Sequence, residues 1–158
     1  MHALRYLSAA ALAAIVATPA LALEAKKQVT VAATPAETWA AIGDFCGIAA
    51  WHPAVEACVI AEKDGKTLRT LSLKGGGTIV EELVARDEAG MSYTYKILES
   101  PLPVANYEST IDVEDAGGTT IVWAGTFDAK DASDADAVGV IEGIYQGGLD
   151  SLAAKAKP

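Results

Sequence analysis

Hydrophobic and polar positions follow two different periods along this chain, and the switches between them mark out its elements. Lys27 to Ala33 alternates Val29, Val31 and Ala33 with Gln28, Thr30 and Ala32, which predicts a first strand. Thr34-Pro35 supplies an N-cap and a proline at the first helical position, with Glu37 in the first turn. They predict a helix over Pro35–Ile42 that ends at Gly43. A second helical turn over Gly47–Trp51 is stopped by Pro53. From Val55 the period is two. Glu56–Ala61, Leu68–Lys74, Thr78–Asp87, Met91–Leu98, Tyr107–Glu114 and Thr119–Asp128 read as strands, separated by turn signals such as Lys63-Asp64-Gly65-Lys66 and Asp115-Ala116-Gly117-Gly118. After Ser133 the period changes to that of a helix, Asp134–Ala156. Val140, Ile141, Ile144, Tyr145, Leu149 and Leu152 form one apolar stripe along it. Gly147-Gly148 in mid-helix predicts a kink or a close approach by another element, and Lys155 and Lys157 suit the C-terminal dipole.

Six strands joined by short turns form an antiparallel meander, to which the first strand adds at one edge. The fold class is therefore α+β: a curved seven-stranded antiparallel sheet wrapped around a long C-terminal helix, with two short helices after strand 1. A cavity is expected between sheet and helix.

Composition changes this picture mainly at the N-terminus. Arg5, the apolar run Leu7–Val16 and the small-x-small site Ala20-Leu21-Ala22 predict a signal peptide over residues 1–22. Of 158 residues, 136 remain in residues 23–158, read as one ligand-binding domain. That part has eleven basic against twenty-one acidic side chains, a net charge of -10, which disfavours nucleic acid and anionic lipid surfaces. It contains no second apolar run of membrane-spanning length. The expected location is periplasmic or secreted, after cleavage near Ala22.

Export bears on Cys46 and Cys58. In an oxidising compartment a lone pair of cysteines reads most simply as a disulfide, with two buried thiols as the alternative. Two Cys and His52 lack a fourth ligand for zinc. Gly75-Gly76-Gly77 is followed by neither Lys-Ser/Thr nor a helix, so it is not a phosphate cradle. No cofactor or metal is expected.

Several stretches carry a family likeness: Asp44-Phe45-Cys46 through Trp51-His52-Pro53, Gly77–Leu83, Pro101–Tyr107, Trp123, and Ile144–Leu149. With the order of elements, they resemble the Bet v 1/START-like helix-grip (SRPBCC) superfamily, in its polyketide cyclase/dehydrase and lipid-transport branch. The plant abscisic-acid receptors are similar more distantly. The receptor resemblance implies that the loop Lys74–Gly77 is a gate over the cavity and Ser100–Val104 a latch. It also implies a lysine at position 56, where this chain has Glu56, and that departure argues against an acidic hormone-like ligand.

Alternation places Glu81 with Ile79 and Leu83, Tyr107 with Ser109 and Ile111, and Trp123 with Ile121, all facing inward. Glu56, two residues before Cys58, is expected on that cysteine's strand face. Two carboxylates on an apolar wall would each have a raised pKa and could serve as acid, base or polar anchor. The alternative is a rim position, solvated or paired with Arg69 or Lys96. Tyr93, Tyr95 and Tyr107 offer hydroxyls on the same wall. His52 is read as pocket wall, because a Cys-His nucleophile needs a free thiol.

The expected function is an exported carrier for a small hydrophobic molecule (lipid, aromatic or polyketide-like). Its ligand-facing residues are Trp51, His52, Leu71, Tyr95, Tyr107, Ser109, Trp123 and Ile144, with Glu56 and Glu81 as anchors. One alternative is a cofactor-free cyclase, dehydratase or isomerase using Glu81 or Glu56. Another is an accessory to a periplasmic oxidoreductase, with that enzyme as protein partner. The sequence sets no oligomeric state.

Overall fold

The computed structural model describes residues 21–156. Residues 1–20, which hold most of the expected leader, and Lys157 lie outside the described residues. The first strand, β1, spans Leu23–Val31 and pairs along its whole length with the last strand, from Leu23↔Phe127 to Val31↔Thr119. This pairing, rather than local alternation, extends β1 four residues upstream of the span the sequence predicts and ends it two residues earlier.

Helix α1, Pro35–Ile42, forms as its caps predict. Thr34 accepts from the Glu37 amide, Glu37 returns a bond to the Thr34 amide, and Gly43, at φ 77°, ends the helix. Helix α2 is the single turn Ile48–Trp51. Strands β2 (Val55–Lys63), β3 (Lys66–Leu73), β4 (Thr78–Asp87), β5 (Ser92–Glu99), β6 (Val104–Asp115) and β7 (Thr119–Ala129) follow, then helix α3, Asp134–Lys155. The sheet order is β1-β7-β6-β5-β4-β3-β2, all antiparallel, so β1 and β2 are the two edges. The β2–β3 hairpin turns on Asp64-Gly65, at φ 52° and 74°, the left-handed pair that a two-residue hairpin requires.

Register slips interrupt the ladders between Val55 and Ala57, Val80 and Glu81, Leu83 and Ala85, and Ala105 and Glu108. Such bulges bend a sheet, and here the bend forms a hollow that α3 occupies. Ala137, Ile141, Tyr145, Gly148, Leu149 and Leu152 of α3 are buried, while Val140 remains 40% exposed. Helix α3 runs unbroken through Gly147-Gly148. Gly148 serves the close approach: a Cβ there would lie 2.7 Å from Trp123, 2.8 Å from His52 and 3.0 Å from Trp51.

The α1–α2 corner is braced from three sides. Trp51 Nε1 donates to the Ile42 carbonyl (3.1 Å), Arg86 Nη2 to Gly43 (3.0 Å) and Arg69 Nη1 to Phe45 (2.5 Å). A Cys46–Cys58 disulfide then ties the corner to β2. No helix among the described residues is long and apolar enough to cross a membrane.

Candidate functional site

A cavity of about 330 Å³ lies between the concave face of the sheet and α3. Its wall is apolar except at five side chains that carry polar atoms: His52, Glu81, Tyr95, Tyr107 and, through its indole N–H, Trp123. A larger cleft of about 620 Å³, which shares Ile97 and Tyr107 with the cavity, opens where the β5–β6 ladder stops at Lys96↔Glu108 although both strands continue. That cleft is lined by charged and polar groups such as Lys96, Glu99, Glu108 and Lys130, so size alone does not make it the site for an apolar ligand.

The expected site residues separate into three groups. His52, Leu71, Glu81, Tyr95, Tyr107, Trp123 and Ile144 line the cavity. Trp51 and Ser109 are buried but sit behind the wall. Trp51 packs edge-on against Trp123 at 5.7 Å, and Ser109 is part of a hydroxyl chain. Glu56 corrects the expected orientation: it is exposed and absent from the wall. The bulge between Val55 and Ala57 leaves Glu56 without a partner on β3 and changes its facing relative to Cys58. Tyr93 is also off the wall, packed between Trp39 and Phe45.

Glu81 is both buried and paired. It is 4% exposed, and its Oε2 accepts from Nε of Arg69 at 2.5 Å. Arg69 itself is fully buried, with its guanidinium 4.1 Å from the Phe45 ring and 4.9 Å from that of Tyr95. Desolvation pushes the Glu81 carboxyl's pKa up, with the guanidinium pulling against it. For Arg69, desolvation is the largest single effect and acts to release the proton, but the Glu81 carboxylate together with Tyr93 and Tyr95 outweighs it and the pKa is raised. The pair stays ionic, because protonating Glu81 would leave Arg69 as an uncompensated buried charge. The sequence signal for Arg69 is the alternation Arg69, Leu71, Leu73, which places it on the inward face of β3.

The tyrosines form a chain whose direction is fixed by its ends. The bonds are Trp123 Nε1 to Tyr95 (3.1 Å), Tyr95 to Tyr107 (3.2 Å), Tyr107 to Tyr145 (2.6 Å), Tyr145 to Ser109 (2.9 Å), and Ser109 to the Ala124 carbonyl (2.8 Å). An indole N–H only donates and a carbonyl only accepts. Each hydroxyl between them therefore donates towards Ala124 and accepts from the Trp123 side. Burial raises the pKa of Tyr95 and Tyr107 well above the usual phenol value and pushes Tyr145 up to about 12. All three phenols stay protonated at neutral pH. Tyr145, read from sequence only as part of the helix stripe, stacks on Trp123 at 4.6 Å.

His52 is committed at both nitrogens. Nδ1 accepts from the Ala54 amide (3.2 Å), so the proton sits on Nε2, which donates to the Ile144 carbonyl (3.1 Å). Burial pushes its pKa down and favours the neutral ring. Among the described residues no three His, Cys, Asp or Glu side chains gather as a metal site.

A curved seven-stranded sheet gripping a long helix over an apolar cavity defines a helix-grip, Bet v 1-like ligand-binding domain. The chain belongs to the family described as polyketide cyclase / dehydrase and lipid transport, whose sequence profile matches residues 22–157. Among solved structures it is similar to the protein XoxI from Bacillus cereus, with 31% identity over 84% of this chain and 94% of that one and a TM-score of 0.79. A Thermobifida fusca protein is 30% identical over 84% of this chain and 92% of that one, with a TM-score of 0.72. The Zhui aromatase/cyclase of a Streptomyces species shares the fold at 22% identity, covering 86% of this chain and 94% of that one, with a TM-score of 0.68. No curated protein matches the chain.

Proposed function

We propose that the protein is an exported carrier that holds a small hydrophobic molecule in the cavity between the sheet and α3. The observation that carries this reading is the state of the wall's polar groups. Each side-chain donor is already bonded within the protein, and the one carboxylate is held in an ion pair. Such a wall binds by apolar contact and offers no poised acid. Tryptophan fluorescence tests it, since Trp123 lines the cavity and Trp51 touches Trp123. Titration with apolar fluorophores should quench emission saturably. A broad panel that leaves emission unchanged, with no co-purified small molecule in native mass spectrometry, would sink the reading.

An enzyme reading, as cyclase, dehydratase or isomerase, rests on Glu81, the one carboxylate on the wall. It requires the Arg69–Glu81 pair to open during turnover, and predicts by NMR a Glu81 carboxyl that titrates above the ordinary carboxylate range, since burial raises its pKa. Export is supported by the leader pattern and by the position of the cleavage site, since removal of residues 1–22 leaves β1, which begins at Leu23, whole. N-terminal sequencing of the native protein should begin at Leu23.

A further inference from the structure

The hydrogen-bond bookkeeping of the wall sets a chemical preference for the ligand. Taking the cavity as the binding site proposed above, we infer that it accepts hydrogen bonds but does not donate them. It would select an apolar ligand bearing a hydroxyl or amine over one bearing a carbonyl or carboxylate.

The wall has four side-chain donors, and each is committed. The Trp123 indole N–H goes to Tyr95, the Tyr95 hydroxyl to Tyr107, the Tyr107 hydroxyl to Tyr145, and the His52 Nε2–H to the Ile144 carbonyl. The acceptors are not used up in the same way. Arg69 holds Oε2 of Glu81 and leaves Oε1, and each phenol oxygen accepts one bond where two lone pairs exist. A ligand hydroxyl placed here finds a carboxylate oxygen, and a bond to a charged group is among the stronger ones. A ligand carbonyl finds no donor on the wall and is desolvated without replacement; the one unbonded N–H beside Glu81, Nη2 of Arg69, is itself buried, and Arg69 does not line the cavity. A ligand carboxylate meets Glu81 as well, a like charge at short range in an apolar site. Because the chain runs one way from an indole to a backbone carbonyl, no single hydroxyl can turn to serve a carbonyl without leaving its neighbour unpaired.

Three naphthalene probes of similar shape read this out: naphthol, methoxynaphthalene and acetylnaphthalene. Their dissociation constants are measured by tryptophan quenching and normalised to each probe's own partition between water and octanol. On that scale naphthol should bind at least about tenfold more tightly than acetylnaphthalene, with methoxynaphthalene between them. The Tyr95→Phe variant gives an independent check. It removes the acceptor of the Trp123 N–H and leaves that donor free, so acetylnaphthalene should gain and the naphthol preference should shrink by about threefold or more. Equal normalised binding of the three probes, or a preference unaltered in Tyr95→Phe, overturns the inference while the carrier reading stands. Failure of all three probes to bind overturns the carrier reading, and the inference with it.

Discussion

Separating Arg69 from Glu81 should destabilise the protein more than almost any other pair of single changes in the sheet. Arg69 is 0% exposed and Glu81 4% exposed. Glu81→Gln leaves a guanidinium buried against Phe45 and Tyr95 with its counter-charge gone. Arg69→Met leaves a buried carboxylate and removes the donor to the Phe45 carbonyl. Breaking a buried pair from one side costs roughly 3–5 kcal/mol. At about 2–4 °C per kcal/mol for a chain of this size, each single variant should melt roughly 10 °C lower. The double variant Arg69→Met/Glu81→Leu behaves differently. Apolar replacement of a buried pair is often neutral or stabilising by about 1–4 kcal/mol. The Phe45 carbonyl, left without its donor, offsets that by about 1–3 kcal/mol. The double variant should therefore lie within about 2 kcal/mol of wild type. Urea unfolding followed by tryptophan fluorescence, with the slope m held constant across variants, measures all three. Singles that cost less than about 1 kcal/mol, or a double as destabilised as the sum of the singles, would refute the reasoning.

Three further outcomes are expected. Gly148→Ala should destabilise by about 1–3 kcal/mol despite alanine's better helix propensity, because its Cβ meets three rigid rings within 3.0 Å; unchanged urea stability would show that the rings can yield. Burial holds His52 below its ordinary value of 6.5, so the unfolded chain takes up that proton first as the medium is acidified. The stability tied to the neutral ring is full above pH 6.5 and is lost as pH falls from there through the lower folded value. The urea midpoint of wild type should fall more steeply over that window than that of His52→Gln, and parallel curves would count against it. Replacing Cys46 and Cys58 with serine opens a loop of sequence separation 12 and should cost about 3 kcal/mol, read from the same unfolding curves.

The order and type of every element were legible because each depends on its own neighbours in sequence. Thr34-Pro35 with Glu37 dictated α1, Asp64-Gly65 a two-residue hairpin, and the three- and four-residue recurrence ending at Leu152 the long helix. The inward faces of β5 and β7 were legible for the same reason, since alternation carries Tyr95 and Trp123 to one side, and Glu81 lines the cavity although register slips flank it in β4. The order of elements already implied a curved sheet gripping the last helix over a cavity, and the family likeness added the loops Lys74–Gly77 and Ser100–Val104 as its expected gate and latch.

Local pattern failed where the backbone departs from its ideal repeat or where two distant segments meet. The bulge at Val55–Ala57 turned Glu56 out to solvent, and a single extra residue is invisible to alternation. Pairing with β7 set where β1 begins. The ion pair of Arg69 with Glu81 needed β3 and β4 side by side, and the alternation alone allowed Glu81 to be free, at the rim or paired. The hydroxyl chain needed Tyr145 of α3 laid against Tyr107 and Ser109 of β6. The sequence by itself thus determined the elements, their faces and an apolar hollow. Only the tertiary structure decided which polar groups on its wall were left unbonded, because a hydrogen bond depends on ångström-scale distances between residues far apart in the chain.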